Sequence, residues 1–373
     1  MMLCFRTVER RIRVTFDDQI FSAQVVGGIS RYFAQLMQAY GHPDNDIGVE
    51  LIGRRMWTNN DHLLDSGMGR RLPAALARQR ITRGINRRCG GTWATDLVHH
   101  TFYAESYLDR YANARLRVVT VYDMIPELFP ELFPQGSPHA GKRSFIAAAD
   151  LILCISEATK REMTKVYGIP AAPIVVTPLG VDRPFRLGAA RPDAIPDRYV
   201  LYVGSRAAYK DFAVLLRAFA KADVGGDVRL VAVGGGAFSP SEHETIRRLA
   251  IAERVQRVDL NDSQLAGAYS HAMCFVFPSR HEGFGLPTLE AMASGGVAIL
   301  ADSSSHPEVG GDAALYFPPG DDDALASLIH RISTEDDLHE HYRRAGLERA
   351  ASFSWAETAR ATADAYRLAL GTT

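Results

Sequence analysis

The 373-residue chain has only four cysteines, Cys4, Cys89, Cys154 and Cys274, and no two of them form a CxxC pair. That spacing builds neither a disulfide framework nor a thiolate zinc site, so the four are expected to be core thiols. No stretch reaches the ~18 consecutive apolar residues that a membrane-spanning helix requires. The opening, MMLCFRTVERRIRV, lacks the long apolar core and small-residue cleavage site of a secretory signal, and a cytoplasmic protein is expected. Net charge is nearly absent at −1, which argues against a nucleic-acid partner. Repeats and low-complexity tracts are missing too. What remains is a soluble globular composition, 47% hydrophobic and 23% charged, able to bury a sizeable core. At roughly 100 to 200 residues per domain, the length suggests two domains.

One local absence is informative. Residues 69–88, GRRLPAALARQRITRGINRR, contain seven arginines and no acid. Leu72, Leu76, Ile81 and Ile85 fall at near-helical spacing, so one face is apolar and the arginines fan around the other. Two readings stay open: a helix lying on an anionic membrane, or a surface helix packed on its own domain.

Short β-branched and aromatic runs such as RIRVTFDD, LVHH, RVVTVYD, LILCIS, IVVTPLG, YVLYVGS, VRLVAVGG, CFVFPS and VAILAD alternate with helical patterns such as GGISRYFAQLMQAY, EATKREMTKVYG, DFAVLLRAFAKA and SPSEHETIRRLAIAERV. Alternation of this kind predicts parallel sheets covered by helices on both faces. The strands are too many for one sheet, and the proline- and glycine-rich residues 176–200 read as the join between two α/β domains. In such a pair, ligands sit in the crevice at the carboxyl ends of the strands.

The candidate motifs fall there. Arg206 and Lys210 follow the strand YVLYV and suit a diphosphate; a salt-bridge arginine and a solvated lysine are the alternative. Gly234, Gly235 and Gly236 end a strand, but the full GxGxxG pattern and an acid about twenty residues on are both missing, so the hydride-transfer signal is weak. The DxD spacing in HPDNDIG reads as a surface turn. Asp321, Asp322 and Asp323 read as a helix N-cap. In HEGFGLPTLE, residues 281–290, Glu282 and Glu290 stand eight positions apart around Gly283, Phe284, Gly285 and Leu286, with Pro287 opening a helix. The glycines allow close backbone approach, and the free N–H groups near Phe284, Gly285 and Leu286 face any anion over the helix start. The two glutamates then serve different parts of one ligand.

HEGFGLPTLEAMASGG resembles the E-x7-E motif of glycosyltransferase family 4, the retaining GT-B enzymes. VVGGISRY, HHTFY, VYDMIPELFPE, CISEATKREM, VTPLGVD, YVGSRAAYK, DLNDSQLAGAYSHA and SSSHPEVGGDAALYF are similar to that family in the same order. The resemblance implies the GT-B fold, two Rossmann-like parallel-sheet domains facing a central cleft: an acceptor domain over 1–182, a nucleotide-sugar domain over 183–355, and a helix over 356–373 that crosses back to the first. It implies that Arg206 and Lys210 hold the diphosphate, Glu290 the ribose and Glu282 the donor sugar, with the base near Leu260, Asp262 and Leu265. Gly27 and Gly28 resemble the loop that approaches the phosphates. Asp123 is a further catalytic candidate. Many members carry histidine where this chain has Tyr122; His99 or His100 lines the same acceptor-side space, with Tyr103, or else is structural.

The resemblance is nearest to bacterial O-antigen mannosyltransferases. It implies transfer of mannose from GDP-mannose to a surface polysaccharide or lipid-linked glycan. The chain offers no convincing pair of aspartates to hold a divalent ion at the leaving phosphate, so neither metal nor cofactor is expected. The protein is expected in the cytoplasm, with peripheral contact at the inner face of the membrane as one of the two readings of residues 69–88. A UDP-hexose donor, a GT-B sugar-nucleotide epimerase and a catalytically silent nucleotide-sugar-binding subunit are the alternatives.

Overall fold

The computed structural model describes residues 11–42, 45, 47–51, 56–73, 86, 94–111, 114–182 and 184–371. Among them lie two six-stranded sheets, parallel throughout. In spatial order the first holds Val49–Leu51, Ile12–Phe16, Leu97–His100, Leu116–Val121, Leu151–Cys154 and Ile174–Val176. The second holds Val255–Val258, Arg229–Val233, Tyr199–Val203, Cys274–Phe277, Ala298–Ala301 and Leu315–Phe317. Neither sheet follows chain order. Each reverses direction between two adjacent strands, Ile12–Phe16 beside Leu97–His100 and Tyr199–Val203 beside Cys274–Phe277. A crevice opens at such a reversal, beyond the carboxyl ends of both strands.

The period of two explains the layering. Along Tyr199–Val203, Val200 and Tyr202 enter one apolar cluster while Tyr199, Leu201 and Val203 enter another on the opposite face. Every residue of this strand is buried, as expected of a parallel strand covered on both sides. In the first domain the helix Gly28–Gly41 buries Tyr32, Phe33, Leu36, Met37 and Tyr40 at helical spacing.

The first core does not stop at its own sheet. Phe284, Leu289 and Val309 of the second domain belong to the same buried cluster, as do Trp355, Ala359, Ala363 and Tyr366 of the last helix, Trp355–Leu370. That helix is pinned to the first domain: the Tyr40 hydroxyl donates to the Ala359 carbonyl at 2.8 Å, and Tyr366 Oη lies 2.7 Å from His99 Nδ1.

Two expectations change. Residues 69–71 are a strand, not the start of a helix: Gly69–Arg71 pairs in parallel with Met56–Thr58, and Leu72 N–H donates to the Thr58 carbonyl. The rest of the arginine-rich stretch, except Pro73 and Asn86, lies outside the described residues, as do Asp44 and Asp46 of the DxD spacing. The helix expected over SPSEHETIRRLAIAERV ends at Arg248, where Ala250 takes a left-handed φ of 55° and the chain turns into the strand Val255–Val258. Among the described residues, no helix is long and apolar enough to cross a membrane.

Candidate functional site

The reversal of the second sheet brings two loops together. The loop after Tyr199–Val203 carries Arg206 and Lys210, and the loop after Cys274–Phe277 carries Glu282. Lys210 Nζ and Glu282 Oε1 meet at 2.5 Å with only 13% and 10% of their side chains exposed. The ammonium also sits 5.2 Å from the Phe277 ring centre and 5.3 Å from that of Tyr209, two faces that favour a cation. A serine shelf fixes the Glu282 backbone. Ser304 Oγ accepts from Glu282 N–H at 2.8 Å, and Ser305 Oγ reaches the carbonyls of Glu282 and Phe284 at 3.0 and 2.9 Å. Gly285, at φ 97°, then opens the helix Leu286–Ala293, with Pro287 in its first turn. A helix start with free N–H groups attracts an anion, so a cation, an oriented carboxylate and a helix N-terminus converge on one spot.

Arg206 is placed differently from Lys210. Its Nε donates to Glu242 at 2.7 Å, Nη1 to the Gly234 carbonyl at 2.9 Å, and Nη2 to the carbonyls of Gly236 and Ala237 at 2.8 Å each. The guanidinium therefore clamps the glycine loop. Gly234, Gly235 and Gly236 all have left-handed φ values of 71° to 85°, and a Cβ on Gly235 would come within 2.6 Å of Arg206 Nη1. This explains three consecutive glycines without a dinucleotide fingerprint.

Glu290 lies one turn into the helix, 7% exposed, and burial pushes its carboxyl up to about 7 against the pull of Arg31. Arg31 Nη1 donates to Glu290 at 2.9 Å and Nη2 to Asp262 at 3.1 Å, while Tyr269 Oη donates to the other Glu290 oxygen at 3.3 Å. Leu260 and Leu265 flank Asp262, half-buried against the second core. Arg31 was the residue missed by the sequence reading. A signal was present in VVGGISRY: an arginine in the first turn of a helix opposes the macrodipole and calls for an acidic partner.

From the first domain, Tyr122 and Asp123 follow the strand Leu116–Val121 and press on the loop that carries Glu282. A Cβ on Gly283 would lie 1.8 Å from the Tyr122 carbonyl oxygen and 3.1 Å from Asp123 Cβ. The Gly283 carbonyl accepts from Ser156 Oγ at 2.6 Å and Thr159 Oγ1 at 3.0 Å, both at the start of the helix Glu157–Tyr167. Glu308 of the second domain closes the seam by accepting from the N–H groups of Glu157 and Ala158. Asp123 Oδ1 accepts from Ile125 N–H at 3.0 Å and stands 3.8 Å from His139 and 4.0 Å from the buried Lys142.

The other acceptor-side candidates lie deeper. His99 is fully buried between Tyr366 and Thr120, each at 2.7 Å, and burial takes its imidazole down to about 3. His100 Nδ1 pairs with the buried Asp17 at 2.8 Å. Tyr103 donates to the Thr120 carbonyl at 2.7 Å. Tyr122, 6% exposed, meets the Glu282 loop at Gly283 through its backbone.

Gly27 and Gly28 open the helix that carries Arg31. A Cβ on Gly27 would meet only the Gln24 side chain, and one on Gly28 would meet nothing within 4 Å. The open space around a Cβ at Gly28 makes Gly28→Val a probe of what approaches from the cleft, with circular dichroism to confirm folding. We expect turnover to fall about tenfold or more with a smaller change in donor affinity, read as kcat against donor Kd; unchanged turnover would exclude the loop from the closed site.

With this geometry in place, comparison with known proteins gives a consistent result. The profile described as Glycosyltransferase Family 4 matches residues 26–184, and that described as Glycosyl transferases group 1 matches residues 192–349. The chain is 30% identical over 237 residues to O-antigen chain mannosyltransferase B of Escherichia coli, covering 59% of this chain and 61% of that one. It is 31% identical over 311 residues to D-inositol 3-phosphate glycosyltransferase 2 of Catenulispora acidiphila, covering 73% and 70%. The chain thus spans about three fifths of the first relative's length. Among solved structures, sucrose-phosphate synthase from Thermosynechococcus elongatus superposes with a TM-score of 0.72 at 20% identity, over 98% of this chain and 100% of that one. The shared fold is GT-B, two Rossmann-like domains.

Proposed function

Since the chain belongs to the glycosyltransferases, family 4 over its first domain and group 1 over its second, we propose that it transfers mannose from GDP-mannose to a growing surface polysaccharide or lipid-linked glycan, with retained anomeric configuration. The observation that carries the reading is the buried Lys210–Glu282 pair beside a helix N-terminus, facing Asp123 across a seam closed by Gly283. The likeness to an O-antigen chain mannosyltransferase supports mannose and a polysaccharide acceptor.

In this reading the bond from sugar C1 to the diphosphate oxygen breaks and the acceptor hydroxyl oxygen bonds to C1. Its proton passes to the departing phosphate. Lys210 and the N–H groups at the start of Leu286–Ala293 receive the leaving charge, and they do so without reorganising, because each is already fixed. Arg206 acts on the diphosphate through the glycine loop that it clamps. Glu282 orients the sugar, Glu290 holds the ribose, and neither is a nucleophile. No divalent ion is required. Contact of the arginine-rich residues 69–88 with anionic lipid at the inner face of the membrane, which would bring the enzyme to a lipid-linked acceptor, belongs to the same proposal.

A donor panel tests it. GDP-mannose, incubated with a mannan oligosaccharide and EDTA, is expected to release GDP faster than UDP-glucose releases UDP, and only with acceptor present. Conversion of the donor without acceptor would indicate an epimerase, binding without turnover a silent subunit, and preference for UDP-glucose the other donor class. Activity lost in EDTA and restored by manganese would reassign the leaving-group role to a metal.

A further inference from the structure

Arg31 is a cation that the first domain extends to the carboxylates of the second. It sits on the helix Gly28–Gly41, yet its guanidinium contacts Glu290 at 2.9 Å and Asp262 at 3.1 Å in the second domain and Asp182 at 3.2 Å at the join. Its side chain is 13% exposed. We propose that Arg31 is a positioning residue of the donor site, by which the N-terminal domain fixes the Glu290 carboxylate for the ribose hydroxyls of a nucleotide sugar. The inference rests on the reading of Glu290 given above.

Three carboxylates surround a single guanidinium, and the groups facing the cluster do not balance it. Gln35 donates to Asp182 at 2.6 Å and Tyr269 to Glu290 at 3.3 Å, both neutral donors. His62 also faces Arg31, Asp182 and Asp262, and partial burial together with Arg31 keeps its imidazole below the ordinary value. Burial raises Asp182 as it does Glu290. Arg31 is therefore what opposes protonation of the most buried acid of the cluster. A carboxylate accepts from both hydroxyls of a ribose, whereas its protonated form keeps one oxygen occupied by its own proton. Donor affinity should then depend on Glu290 being ionised, and removing Arg31 should move that ionisation to higher pH.

The experiment is titration of GDP-mannose into the full-length protein by calorimetry between pH 6 and 8.5, where its diphosphate diester does not ionise. Wild-type affinity is expected to strengthen through pH 7 and level off. Arg31→Gln is expected to bind about fivefold more weakly at pH 7 and nearly tenfold more weakly at pH 6, as a displacement of the Glu290 pKa by about one unit requires, and to recover most of the loss by pH 8.5. Arg31→Lys, which restores the charge, is expected to follow the wild-type profile. A loss in Arg31→Gln that is the same at every pH, no loss at all, or a lysine variant that behaves like the glutamine variant would each overturn the proposal. Glu290→Gln separates it from the reading beneath: that variant should bind weakly and without pH dependence, and wild-type binding by it would mean that Glu290 does not hold the ribose.

Discussion

Lys210→Ala is expected to lower kcat/KM by about a hundredfold to a thousandfold, the cost of removing one preorganised donor from a site where negative charge develops. Two effects add. The leaving phosphate loses its point charge, and Glu282, 10% exposed along its side chain, is left without the cation 2.5 Å away. Breaking a buried pair by removing one partner costs about 3–5 kcal/mol. Glu282→Ala should fall by a similar amount through loss of sugar orientation. Because the residues act as a pair, the double variant should be little worse than either single one. Steady-state kinetics on the three variants checks this, with near-UV circular dichroism to confirm folding. A fall of less than fivefold in Lys210→Ala would remove it from the chemistry.

Gly283→Ala is expected to reduce turnover by about a hundredfold, for a reason of space alone. The added Cβ would lie 1.8 Å from the Tyr122 carbonyl oxygen and 2.9 Å from its carbon, and backbone cannot yield as a flexible side chain does. The seam must open by more than an ångström, and a misplacement of about 1 Å can cost some hundredfold in rate. The hydroxyls of Ser156 and Thr159 lose the Gly283 carbonyl at the same time. Since Lys210, Glu282 and Glu290 all stand on the second domain, nucleotide-sugar affinity should fall much less than kcat. Wild-type kcat in this variant would show that the seam is not closed during catalysis.

The sequence made the architecture legible where the strands are long and central. Tyr199–Val203, Leu116–Val121 and Cys274–Phe277 are β-branched or aromatic almost throughout. Of the four edge strands of the two large sheets, Ile174–Val176 stood out in IVVTPLG and the other three were not visible. Val49–Leu51 and Leu315–Phe317 have three residues each, and Val255–Val258, with sequence VQRV, carries two polar side chains at half-buried positions. Such segments owe their structure to the neighbour they pair with rather than to their own pattern. The Glu282 and Glu290 positions could be read from spacing because both lie within one loop-and-helix unit. Their partners could not, since Lys210 and Arg31 are 72 and 259 residues away in the chain. For Arg206, chemistry alone suggested a phosphate ligand, and only the fold revealed that its donors are engaged by the glycine loop.

The last helix bears on how the chain is made. Tyr366 and Ala359 complete the interior of the first domain by meeting His99 and Tyr40, yet they leave the ribosome only after the whole second domain. At about 5–20 residues per second, the stretch between the domain join and that helix takes roughly ten to forty seconds to synthesise. Throughout that interval the first domain carries an open apolar seam along Tyr32, Tyr40 and His99. The half of the protein that is translated first therefore cannot complete its interior until the last helix has been made.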